Sequence, residues 1–145
     1  EVIKWVRTQG NLRHLPLGLF GASTGAAAAL IAASQPKSKI ASVVSRGGRP
    51  DLAKDHLKNV MSPTLLIVGG HDYEVIEMNK SALSEMPSGM HRIEIVPEAT
   101  HLFEEPGALL VVAEHARAWF LDTFSCEYKK PPKNEFGTKE ISPRI

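Results

Sequence analysis

Gly21-Ala22-Ser23-Thr24-Gly25 places a serine between two glycines, the pattern of a tight strand-to-helix turn that pushes a hydroxyl outward, where it could attack a carbonyl carbon. Gly21 and Gly25 are expected to let neighbouring backbone approach closely. The N–H of Thr24, at the helix start, would point where the oxyanion of a tetrahedral intermediate forms. The pentapeptide alone is weak, because at ordinary Gly and Ser frequencies a chain of this length matches it by chance about 5% of the time. Serine also attacks poorly without a base, so the pattern asks for a carboxylate and then a histidine further along the chain. Asp72, behind Gly69-Gly70-His71, and His101, behind Ala99-Thr100, stand in that order, with Glu74 as the alternative acid. In such a set His101 takes the proton from Ser23, Asp72 orients His101, and water resolves an acyl-enzyme. That chemistry calls for no metal and no cofactor. His71-Asp72 could suggest a metal-dependent phosphohydrolase, but no further ligands accompany the pair at helical spacing.

The elements that would position these residues alternate. Apolar spacing predicts a helix over Val2 to Val6, a buried strand over Leu15 to Phe20, a helix over Thr24 to Ser34 and a strand over Ile40 to Val44. An amphipathic helix is expected from Asp51 to Val60, with Leu52, Ala53, Leu57 and Val60 on one face. A branched strand, Thr64 to Val68, stops at the glycine pair. A helix from about Glu74 to Met86, a strand from His91 to Val96, a loop from Pro97 to Pro106 and a helix from Gly107 to Phe124 complete the series. This is an α/β pattern with a doubly wound, mostly parallel sheet, in which ligands meet the carboxyl ends of the strands. Ser23, Asp72 and His101 all follow strands at that rim. The other histidines do not: His56 and His115 fall in helices, His91 begins a strand, His14 lies at the opposite rim, and His71 adjoins the acid. Arg46 and Arg49, in the Gly-Gly turn after the second strand, are candidates to hold a carboxylate or phosphate of a substrate, the alternative being two solvated loop arginines.

With 145 residues, 43% apolar and 23% charged, the chain has room for one core of ordinary composition. A net charge of +1 provides no basic field for nucleic acid. One cysteine, Cys126, cannot close an intramolecular disulfide, which fits a reducing cytoplasm. The most apolar stretch, Leu15 to Ala33, contains Pro16 and three glycines and is better explained as strand, turn and helix than as a membrane span. Residues 125–145 hold Pro131, Pro132 and Pro143 and are expected to form a flexible tail to a domain over 1–124. The chain opens at Glu1 with no initiator Met and no leader pattern, so its start is not expected to be a native one.

Four strings carry a resemblance: LGLFGASTGAAAAL (17–30), VSRGGRPDL (44–52), LLIVGGHD (65–72) and ATHLFEEPG (99–107). In that order they resemble the carboxyl-terminal half of α/β-hydrolases of the dienelactone-hydrolase-like group, some of which are fused to a phosphoribosyltransferase-like domain. The resemblance covers about residues 1 to 124. It implies Ser23 as nucleophile, Asp72 as acid and His101 as base, acting on a small-molecule ester or lactone. Dienelactone hydrolases proper use a cysteine, so Ser23 departs from the pattern and leaves the dienelactone substrate itself out of the expectation. The resemblance also implies strands ahead of the nucleophile strand, with a loop giving the second oxyanion donor, and the sequence begins one helix before the Ser23 turn. A second expectation follows: a catalytically incomplete hydrolase fragment that acts as a non-catalytic module, or that needs an amino-terminal hydrolase segment or self-association for completion.

Overall fold

The computed structural model describes residues 1–128, with side chains described to Ser125, and the tail expected beyond lies mostly outside the described residues. Four strands, β1 (Leu17–Ala22), β2 (Ile40–Arg46), β3 (Thr64–Gly69) and β4 (His91–Val96), form one sheet in the order β1-β2-β3-β4. All three pairings are parallel, with Leu19 opposite Val43, Ser45 opposite Leu66, and Leu66 opposite Ile93. Parallel neighbours require crossovers, and helices supply them: α2 (Thr24–Ala33), α3 (Lys54–Leu57) after a 3-10 turn over Pro50–Ala53, and α4 (Tyr73–Glu85). Helix α1 (Val2–Thr8) precedes β1 and α5 (Ala108–Tyr128) follows β4.

Alternation along β2 divides the core between the two faces of the sheet. Val43 joins Ala27, Leu30 and Ala33 of α2, Leu57 of α3 and Ala82 of α4 on one face. Val44 joins Leu65, Ile67, Val96, Phe103 and the Val112, Ala116, Trp119 stripe of α5 on the other. Strand β3 has all six residues buried, as expected of a strand covered on both sides. Truncating Leu30 or Leu65, both fully buried, to alanine is expected to cost about 2–5 kcal/mol. Phe120 and Phe124 stack over Gly18 of β1, where an added Cβ would lie 2.6 Å from the Phe120 ring.

Some expected elements move. The first strand starts at Leu17 instead of Leu15, because Pro16 has no N–H for the sheet, and it runs on to Ala22, which pairs with Arg46. The helix expected over Asp51–Val60 breaks into the 3-10 turn and a single α turn. Pro50 opens the tighter winding, which turns Leu52 out to solvent and leaves Ala53, Leu57 and Val60 buried. The last helix continues past Phe124 to Tyr128. No described helix is long and apolar enough to cross a membrane.

Candidate active site

Ser23 turns strand into helix in one step. Its φ of 50° and ψ of −121° are unusual for a residue with a side chain and cost on the order of 1–3 kcal/mol, so the surroundings must hold it there. They do so through the backbone. The Ser23 N–H donates to Arg46 O and the Arg49 N–H donates to Ser23 O, each at 3.1 Å. Gly21 lets α2 pass close over β1, since a Cβ on it would meet Gly25 O at 2.5 Å and Ala26 Cα at 2.6 Å. Gly25 was expected to play the same part, but a Cβ there meets nothing within 4 Å among the described residues. The Thr24 N–H, first in α2, has no acceptor among the described residues and is free to donate outward.

Asp72 and His101 come together because the loops after β3 and β4 are stitched along their backbones. Gly70 N–H donates to Val96 O at 2.8 Å and His71 N–H donates to Ala99 O at 3.0 Å. A side chain at Gly69 would strike Thr100 O at 2.6 Å, so glycine is what permits the contact. Asp72 stands at the N-cap position of α4 without a side-chain capping bond, and its Oδ2 lies 2.6 Å from His101 Nδ1. An ionised carboxylate at this contact only accepts, which makes Nδ1 the donor, and in a neutral ring that arrangement leaves Nε2 as the acceptor a serine hydroxyl would need. Glu74 is exposed in the first turn of α4 and does not bond to His101. No hydrogen bond joins Ser23 Oγ to His101 among the described residues. Both nevertheless border the Arg46–Arg49 turn, since a Cβ on Gly47 would lie 3.6 Å from His101 Cε1.

The His101 loop, within the Pro97–Pro106 segment expected ahead of the last helix, has its own clamp. That helix begins later, at Ala108, and Phe103 is buried against it. Glu105 Oε1 accepts the Thr100 N–H at 3.0 Å, and this bond holds the Glu105 carboxyl below its usual range. Asn79 of α4, fully buried, donates to Gly48 O at 3.0 Å and Val75 O at 2.7 Å. An asparagine within the Val75, Asn79, Ala82 stripe was the sequence signal for it.

The two candidate arginines part company. Arg49 forms a two-pronged pair with Asp51, Nε to Oδ1 at 2.8 Å and Nη2 to Oδ2 at 2.7 Å, and Asp51 holds its charge. Arg46 lies 5.6 Å over the Phe103 ring, and its buried Nε has no partner among the described residues. His71 leans toward Glu98, Nε2 to Oε2 at 3.6 Å. A second serine–histidine contact occurs in a groove of about 1080 Å3 at the opposite rim, where Ser34 Oγ is 3.2 Å from His56 Nδ1. Ser34 already donates to Ile31 O, and no carboxylate bonds to the His56 ring among the described residues.

No protein-family model matches the chain. Over 122 residues it is 55% identical to proteins of two Mycobacterium tuberculosis strains named "Putative phosphoribosyl transferase", a match covering 84% of this chain and 27% of theirs. A dienelactone hydrolase structure from Anabaena variabilis superposes with a TM-score of 0.80 at 50% identity, over 83% of this chain and 56% of that one. The esterase domain of a Rhodothermus marinus protein matches in fold, with a TM-score of 0.69 at 19% identity, over 85% and 66%. The chain thus spans about a quarter of the curated relatives and little more than half of the dienelactone hydrolase.

Proposed function

We propose, from the premise that this chain has the α/β-hydrolase fold and resembles dienelactone hydrolases, that it carries the reacting groups of a serine hydrolase of esterase or lactonase type. One observation supports this most: His101 Nδ1 lies 2.6 Å from Asp72 Oδ2, in loops that border the turn gripping Ser23. In this reading His101 Nε2 removes the Ser23 proton as Oγ attacks the carbonyl, and the Thr24 N–H donates to the resulting oxyanion. His101 then protonates the leaving alkoxide, and the acyl group departs by attack of water activated at the same nitrogen. Arg46, which has no acidic partner among the described residues, is the better candidate of the two arginines for an anionic group on the substrate. The transferase name of the mycobacterial relatives is assigned, in this reading, to portions of them outside the matched segment.

The position of β1 supports a second element of the reading. It has one strand partner in the described sheet, and Phe20 on it is half exposed. Such an edge invites pairing, here with an amino-terminal hydrolase segment that would also bring the second oxyanion donor, or with another copy of the chain. A fluorophosphonate probe tests the central claim. It should label the protein at Ser23 and fail on Ser23→Ala, alone or after addition of the amino-terminal half. Labelling that survives the substitution would remove Ser23 from the assignment.

A further inference from the structure

The turn from Arg46 to Arg49 holds more of the site than any other backbone segment. It bonds Ser23 on both sides, through Arg46 O and the Arg49 N–H, and at Gly47 it lies against the His101 ring. The turn is tied to β3 by the Gly47 N–H, which donates to Ile67 O at 2.7 Å, and to α4 by Asn79. Its amide donates both hydrogens, one to Gly48 O in the turn and one to Val75 O in its own helix. On α4 it stands seven residues beyond Asp72, two helical turns along, so the helix that presents Asp72 also presents the side chain that ties down the turn.

Packing does not call for an asparagine at this place. The flanking stripe positions are Val75 and Ala82, the Asn79 side chain has 0% exposure, and its Oδ1 has no partner among the described residues. A buried amide with an unpaired oxygen is a net cost unless its remaining bonds do something an apolar residue cannot. We infer that Asn79 is a positioning residue for the site: by joining the Arg46–Arg49 turn to the helix headed by Asp72, it fixes Ser23 and His101 relative to the carboxylate. The inference rests on the serine-hydrolase reading above. A misplacement of about 1 Å between reacting groups lowers rate on the order of 10²-fold, which sets the scale of the effect.

The test uses Asn79→Leu, which keeps the branched shape at greater bulk and removes the donors, and Asn79→Ser, which is smaller and keeps one donor should the leucine variant fail to fold. Three quantities are read on the full chain: the thermal melt, the rate of fluorophosphonate labelling, and the ring 1H and 15N signals of His101, assigned by their loss in His101→Gln. Folded variants are expected to label at least about tenfold more slowly, with kcat for an aryl ester reduced, KM little changed, and the His101 ring signals displaced. A lower melting temperature with unchanged labelling and unmoved ring signals would make Asn79 a stability residue and overturn the inference. If the unaltered protein does not label at Ser23 either alone or after addition of an amino-terminal hydrolase half, the hydrolase reading fails by itself. The ring signals then decide alone: displaced supports the coupling, unmoved refutes it.

Discussion

Replacing Gly21 by alanine should damage both stability and chemistry, whereas the same change at Gly25 should not. A Cβ on Gly21 would lie 2.5 to 2.7 Å from Gly25 O, Ala26 Cα and Ala26 N, where ordinary contact begins at 3.4 Å. These are backbone atoms and cannot rotate away, so α2 must lift from β1 by roughly 0.9 Å to bring the nearest of them to ordinary contact. Overpacking of this kind costs about 1–3 kcal/mol. The lift acts directly on Ser23 and on the Thr24 N–H, since both stand at the junction, and a shift near 1 Å corresponds to about 10²-fold in rate. Gly25 has open space and lies within α2, where alanine is the better helix former by about 0.8–1 kcal/mol. Urea titration and fluorophosphonate labelling of the two variants measure both effects. Gly21→Ala with an unchanged urea midpoint and unchanged labelling would show that the close crossing does not hold the serine.

Asp72→Asn should lower kcat by about 10² to 10⁴ while leaving labelling of Ser23 detectable, because an amide can donate to Nδ1 and so favour the wrong tautomer; equal activity in aryl-ester turnover would argue against the pair. Stability should fall on the acid side. His91, held below its usual value by burial, stays neutral in the fold, so its contribution is complete above about pH 6.5 and is lost as pH falls through its lowered folded value. Glu105, held low by the Thr100 N–H, likewise contributes above the usual carboxylate range and loses that contribution as pH falls through its depressed folded value. Melting curves from pH 7 to 3 should therefore decline in two stages, with His91→Gln flattening the first and Glu105→Gln the second. Arg46→Met, which keeps the stem over Phe103, should raise KM for esters bearing a carboxylate and spare neutral ones; an equal effect on both would assign Arg46 to packing.

The alternation of strand and helix was legible because β2 and β3 are buried runs between turn residues, which one chain shows plainly. Bounds failed where a tertiary partner or a single proline decided them. Ala22 is a strand residue because Arg46 lies opposite, and the expected 51–60 helix gave way to the winding that Pro50 begins. The last helix outran its expected end because Ser125 to Tyr128 contains neither glycine nor proline. At the site, the chain order singled out Ser23, Asp72 and His101, and the structure hydrogen-bonds the last two directly. The open space at Gly25 and the partner of Asn79, Gly48, depend on groups distant in sequence or on exact spacing between backbones; the Arg49–Asp51 pair is local, two residues apart, but its two-pronged geometry appears only in the fold.

The single helix on one face of the sheet has a consequence for how this chain is made. On the other face each crossover is covered as it is synthesised, since α2, α3 and α4 follow their strands in turn. Val44, Leu65, Ile67 and Val96 instead wait for α5, the last described element to leave the ribosome. Translation at about 5–20 residues per second takes roughly 2–6 s to pass from Val96 to Tyr128. For those seconds a nascent chain with all three reacting residues already polymerised presents a bare aliphatic sheet face, which is the kind of surface that holdase chaperones capture. A premature stop between Phe103 and Trp119 would make that interval permanent, leaving Asp72 and His101 in place in the sequence but Phe103 of the His101 loop without the complete helix it packs against.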